Sequence, residues 1–471
     1  MPASPSLFGA SAGAWRQEAL ATLRLATPMA ATNLLQMAVY AIDVIFVARL
    51  GQPALAASSL SVSLFGFFMW SLYAMTGAVA SLVAAELGAR AHAVREVRLA
   101  ARMALWLAAG TGLVVTAVLG SAGQIMRLTG QDPEVTRLAA SFMGVLKWAV
   151  VPMVAAGVLR NVISALGRPA FATVITALSI AVNAAGNYAL VFGHWGAPAL
   201  GLDGSAWSNV ITALATLLAY GAVLFADRRL RRYHLLGCWW HPAWPRMRSL
   251  LAVGLPIAFT TMAETGLFGG AAFLMGRIGS TELAAHALAL QIAAFAFMLP
   301  LGIGQAATIR VGYHFGAGDH AAMGRAGWMA LATGLGFALA SAGLMWGAPH
   351  LLLSAYIDVT DPAHAAMTHV AVRFLAVAAA FQLADSTQAV LAGALRGLQD
   401  TRRPMAFALI GYWAVGFVLA AGLGLGTQAG GMGVWTGLAA GLAVVAVLLL
   451  RRWHSREALG LTRLPAPDGA I

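Results

Sequence analysis

The sequence predicts an all-α polytopic membrane protein: twelve transmembrane helices in two pseudo-symmetric six-helix lobes around a central cavity. Three observations carry this. Of 471 residues, 60% are hydrophobic and only 10% are charged, whereas a soluble chain carries about 25% charged residues. The apolar residues fall into long runs, and a bilayer-spanning helix needs roughly 20 of them. Residues also recur at a fixed offset of 228 positions between the two halves.

Taken in order, the apolar runs predict spans at 20–49, 59–87, 99–122, 136–159, 170–193, 205–226, 249–278, 286–313, 326–348, 366–394, 404–425 and 430–450. The first run follows a short polar N-terminus and is too long for the core of a signal peptide, so it reads as a span. Basic residues orient the set. With an even number of spans, 23 of the 29 Lys and Arg fall on one side. Arg49, Arg127, Arg137 and Arg277 fall on the other, and Lys147 and Arg373 lie within spans. Positive charge collects on cytoplasmic loops, so both termini are expected in the cytoplasm. The net charge of +12 is explained the same way and implies no nucleic-acid partner. Cys238 is the only cysteine, so no internal disulfide can form.

The longest polar insertion, Asp227 to Arg248, is basic and holds Pro242 and Pro245 near the midpoint. It divides the chain into an N-terminal lobe (1–226), a cytoplasmic linker (227–248), a C-terminal lobe (249–452) and a cytoplasmic tail (453–471). The 228-residue offset pairs Pro28 with Pro256, Arg49 with Arg277, Gly51 with Gly279 and Leu55-Ala56-Ala57 with Leu283-Ala284-Ala285, without a gap. It continues through Gly88-Ala89 and Gly316-Ala317. Six spans separate the copies, so they are parallel repeats, of the kind that work by rocking one half against the other.

Three acids fall inside spans: Asp43, Glu264 and Asp385. A charge at the bilayer centre costs at least about 2.5–3.5 kcal/mol on insertion scales. Such residues mark proton or cation sites more often than structural hydrogen bonds. The repeat pairs Glu264 with Gln36, seven residues before Asp43, so the two halves carry acids at different depths on equivalent helices. Gln36, Asn183, Asn187, Gln291 and Gln388 are further polar groups within spans. They either bond neighbouring helices or line the cavity. Pro28 lies inside the long first span, where it either marks a helix start or bends the helix.

At these residues the chain resembles the multidrug and toxic compound extrusion (MATE) transporters in their NorM-like branch. The matching stretches are DVIFVARLG from Asp43, LRNVISALGRP from Leu159, NYALVFG from Asn187, LAAHALAL from Leu283, PLGIGQAATIRVG from Pro300, FQLADSTQAVLAGALRGLQDTRRP from Phe381 and GVW from Gly433. The resemblance covers about Leu20 to Leu450.

It implies a multi-pass protein of the bacterial inner membrane, expected to be monomeric and surrounded by membrane lipids. It would export lipophilic organic cations in exchange for H⁺ or Na⁺, with no cofactor. It assigns Glu264 and Asp385 to the second-lobe cation site, where Na⁺ is one candidate occupant, and Asp43 to proton or substrate binding. Asn183 and Asn187 supply polar groups near Asp43. Two positions depart from many relatives: Ala287 follows His286 where they have Gln, and Phe381 stands four residues before Asp385 where some have Tyr. Both changes remove a polar group.

Two rival functions are weaker. A lipid-linked precursor flippase of the same superfamily would need basic residues deep in the spans, where this chain places acids. A membrane-embedded enzyme would need His and acids at ligand spacing, whereas the eleven histidines are scattered.

Overall fold

The computed structural model describes residues 12–90, 93–128, 132–235, 237, 239–240 and 242–463. Cys238 and the last eight residues of the tail lie outside the described residues. Twelve helices are long and apolar enough to cross a bilayer. They are α1 (Ala12–Ala48), α2 (Gln52–Ala89), α3 (Val94–Gly120), α4 (Pro133–Ala165), α5 (Ala170–Phe192) and α6 (Leu202–Ala226), then α7 (Trp244–Ile278), α8 (Ser280–Gly316), α9 (His320–Gly347), α10 (Pro362–Gly397), α11 (Arg402–Gly426) and α12 (Gly431–His454). No strand occurs among the described residues.

All twelve sequence-predicted spans are present. Most helices run further than the apolar runs that announced them; α1 begins eight residues before Leu20 and α8 six before His286. Apolarity marks the hydrocarbon layer, while the backbone stays helical into the polar interface as long as a cap ends it. Asp132 and Asp319 supply such caps for α4 and α9, accepting from Glu134 N and Ala322 N, each at 2.8 Å.

The chain forms two compact units: residues 31–258, and residues 1–30 with 259–471. The division does not fall at the linker alone. The first part of α1 belongs with α8 to α12, and the first part of α7 belongs with α2 to α6. The two crossover points, after Ala30 and after Ala258, are themselves 228 residues apart, just past Pro28 and Pro256.

Packing and charge both hold these exchanged segments. In the first-half unit, Val253 and Ile257 are buried against Ala78 and Ala74 of α2. In the second-half unit, Gly302 of α8 presses on the backbone of Ala30 so closely that a β-carbon would meet it at 2.7 Å. An ion pair closes each contact. Glu18, with only 8% of its side chain exposed, takes two hydrogen bonds from Arg310, Nε to Oε1 at 2.9 Å and Nη2 to Oε2 at 2.6 Å. His314 Nε2 lies 3.1 Å from the same Nη2. In the other unit, Arg246 spans Glu86 at 2.7 Å and Glu96 at 2.5 Å. The repeat offset relates Glu18 to Arg246 and His314 to Glu86, while Arg310 corresponds to Leu82 and Glu96 to Gly324; the charge carried by the exchanged segment is therefore reversed between the units, on partner positions that correspond only in part.

Replacing Arg246 by Leu leaves two carboxylates facing each other. Removing one partner of a buried pair costs about 3–5 kcal/mol. Arg246 is about a quarter exposed, which reduces the expected loss to about 2 kcal/mol. A thermal melt of the purified protein should show it, and Arg310→Leu should behave alike. An unchanged melting temperature in both variants would show the clamps to be inert.

Candidate functional site

The intramembrane acids sit in two separate hydrogen-bonded sets, one in each unit. In the first-half unit, Asp43 of α1 is half-buried and faces α5 and α6. Its Oδ1 accepts from Asn187 Nδ2 at 2.8 Å and Asn183 Nδ2 at 3.2 Å, and its Oδ2 accepts from Asn209 Nδ2 at 2.9 Å. Asn183 and Asn187 are one turn apart and both fully buried. Ser208 Oγ donates to Asn183 O at 2.9 Å and so fixes α6 against α5. Three amide nitrogens thus donate to the two oxygens of one carboxyl group, which takes part only as an acceptor.

The second-half set has the opposite balance. Gln388 of α10 is its centre. The Nε2 of this residue donates to Glu264 Oε1 on α7 at 3.2 Å and lies 3.4 Å from Asp385 Oδ1. Tyr412 of α11 donates its hydroxyl to Gln388 Oε1 at 2.9 Å. Asp385, Gln388 and Tyr412 are all buried. A single amide nitrogen therefore serves two acids. Among the described residues the cation that acts on the set is Arg396, whose guanidinium interacts electrostatically with Glu264.

Local structure explains the convergence. Phe381, Asp385, Gln388 and Arg396 follow one another at helical spacing on one face of α10. Phe381 is 2% exposed and packs edge-on to Phe268 and Trp435, at 6.2 and 5.9 Å between ring centres. It is thus a wall beneath Asp385. The α10 backbone comes close to α8 because Gly304 meets Gly393, with Thr308 Oγ1 bonding both carbonyls. Tyr412 and Trp413 lie in a π-helical stretch, Ile410–Phe417. Its wider turn lets neighbouring residues reach separate targets: Tyr412 takes Gln388, and Trp413 Nε1 donates to Ala263 O at 3.2 Å. Such π-helical segments are frequent at functional sites.

Of the residues singled out by sequence, Asp43, Asn183 and Asn187 meet in one set, and Glu264, Asp385 and Gln388 in the other. Gln36 is half-buried and Gln291 exposed, and neither bonds to the acids. Pro28 lies inside the continuous helix α1. Sequence reasoning missed Asn209, Tyr412 and Arg396. Asn209 was findable: Ser205, Ser208, Asn209, Thr212 and Thr216 form a polar stripe at helical spacing. Arg396 was also findable, three turns beyond Asp385 on the same face. Tyr412 carried no such signal, since the π-helical stretch breaks the 3.6-residue period.

The MatE family model matches residues 28–189 and 256–421, once in each half, the two matches starting 228 residues apart. A probable multidrug resistance protein NorM from Mesorhizobium japonicum is 44% identical over 94% of this chain and 95% of its own length. One from Brucella suis biovar 1 is 41% identical over 94% of each. Among solved structures, an outward-facing multidrug resistance MATE family transporter of the MOP superfamily superposes with a TM-score of 0.84 at 20% identity, over 95% of this chain and 97% of that one. The fold is shared at an identity too low to speak for more, while the two bacterial relatives match nearly end to end. The chain is a MATE family transporter of the NorM-like branch.

Proposed function

We propose that this transporter exports lipophilic organic cations across the bacterial inner membrane by antiport, that Glu264 and Asp385 carry the coupling ion, and that this ion is the proton. Both termini then face the cytoplasm, in line with the basic-residue asymmetry. The working unit is a monomer, and Asp43 with Asn183, Asn187 and Asn209 meets the positive charge of the cargo. The relatives' name, multidrug resistance protein, supports the cargo class.

The observation that carries the ion assignment is the donor-poor second-half set. Two carboxylates share one amide nitrogen, so a positive charge between them is electrostatically favoured. The oxygen of Gln388 is already bonded to Tyr412, and Phe381 brings none. An alkali cation leaves water only where several oxygens replace its shell, and beyond the carboxyl oxygens of Glu264 and Asp385 the set offers the side-chain oxygens of Gln388 and Tyr412, which are bonded to each other. A proton needs one carboxylate. Gln36, Gln291 and Pro28 have no part in this ion site; Pro28 is assigned to the conformational change of α1.

The test is efflux of a cationic dye from vesicles holding the purified protein. An imposed pH gradient should drive it and a sodium gradient alone should not. Sodium-driven efflux at equal pH would overturn the proton assignment, and gradient-driven movement of anionic cargo in place of the dye would overturn the cargo class.

A further inference from the structure

The basic linker after α6 is more than a connection between halves. Arg228, Arg229, Arg231 and Arg232 are exposed, and none forms an ion pair with a described residue. The one acid in this segment, Asp227, is already occupied. It accepts from Arg229 N and Leu230 N at 2.8 and 3.1 Å and pairs with Arg168 at 3.4 Å. Arg232 lies over the Tyr233 ring, 5.5 Å from its centre, but no described acid pairs with any of the four, so their charge remains available to an anionic partner.

The same segment exposes tryptophan. Trp240 and Trp244 are 79% and 64% accessible, unusual for side chains that bury about 150–250 Å² when packed. Trp240 is held in place: Trp106 of α3 donates Nε1 to Trp239 O at 3.3 Å, stacks on the Trp239 ring and meets Trp240 edge-on. Leu230 and Leu235 of the same segment are buried. The segment leaves the end of one span and enters the next, so its place is the membrane surface. Indole rings favour the headgroup level, and unpaired arginines there attract anionic headgroups. The tip between α5 and α6 gives the contrast: Trp195 is 76% exposed beside Tyr188 and His194, with no arginine in that loop.

We propose that the linker surface formed by Arg228, Arg229, Arg231, Arg232, Trp240 and Trp244 is a binding site for the headgroups of anionic phospholipids. The guanidiniums bond phosphate oxygens in their fork geometry, and the two indoles sit at the headgroup level, within reach of the uppermost acyl carbons. This site is independent of the ion and cargo sites.

The test places the full-length protein in phosphatidylcholine vesicles carrying a minor fraction of brominated phosphatidylglycerol, or of brominated phosphatidylcholine. The reading is the quenching of tryptophan fluorescence that disappears in the Trp240→Phe, Trp244→Phe variant. Brominated phosphatidylglycerol should quench this component more at equal fraction, with an apparent preference of roughly tenfold or greater. Changing the four arginines to Gln should remove the preference, and changing them to Lys should keep most of it. Excess soluble glycerol phosphate should leave it unchanged. Equal quenching by both lipids in the native protein, or a preference that survives in the Gln variant, would overturn the proposal. Displacement by glycerol phosphate would show a soluble phosphate ligand instead of a lipid.

Discussion

Replacing Asp385 by Asn, or Glu264 by Gln, is expected to reduce gradient-driven export to the level of vesicles without protein, while the protein still folds. The amides keep the size of the acids. Gln388 can still donate to a carbonyl oxygen at either position, so the hydrogen bonds at 3.2 and 3.4 Å have acceptors in the variants. What is lost is the ability to exchange a proton, which no amide supplies at physiological pH. Tyr412→Phe should give an intermediate result. It leaves Gln388 Oε1 buried without its donor, an expected cost of about 1–3 kcal/mol, and frees the amide to turn its oxygen toward the acids. Efflux in vesicles, paired with a thermal melt of each variant, separates these outcomes. Full coupled transport by both acid variants would remove Glu264 and Asp385 from the mechanism.

The second large effect belongs to Asp43. Asp43→Asn sets a fourth amide among Asn183, Asn187 and Asn209, so at least one nitrogen must turn away or face another nitrogen. A charge-assisted hydrogen bond is worth about 1.5–3 kcal/mol. The expected result is therefore a ten- to hundredfold weaker binding of a cationic dye, with a much smaller change for a neutral dye of similar shape. Equilibrium binding of the two dyes is the measurement. An equal loss for both would mean that Asp43 holds the fold of its unit and does not recognise charge.

The sequence revealed the architecture through three separate signals. Apolar length gave the spans, arginine placement gave the orientation now proposed, and the gap-free offset from Pro28 to Gly88 gave the repeat. It also revealed which acids matter, because a carboxyl inside an apolar run is costly enough to need a reason. It did not reveal which groups bond them. Asp43 is joined to Asn209 across 166 positions and Glu264 to Gln388 across 124; such pairings are fixed by helix packing, which periodicity does not encode. The exchange of the first parts of α1 and α7 between units was hidden for the same reason. An apolar helix looks alike whichever neighbours bury it.

The reversed clamps bear on how such a chain assembles. Two halves descended from one repeat present near-duplicate sockets, and each exchanged helix start must enter the socket of the opposite half. If both clamps had kept one polarity, either start would fit either socket. Here Arg246 would meet Arg310 in the wrong place, and Glu18 would meet Glu86 and Glu96. Like charges brought together in a partly buried site are repelled, so mispairing is penalised as well as the correct pairing being favoured. The charge reversal acts as an address label, giving a duplicated fold a single way to thread its first helices.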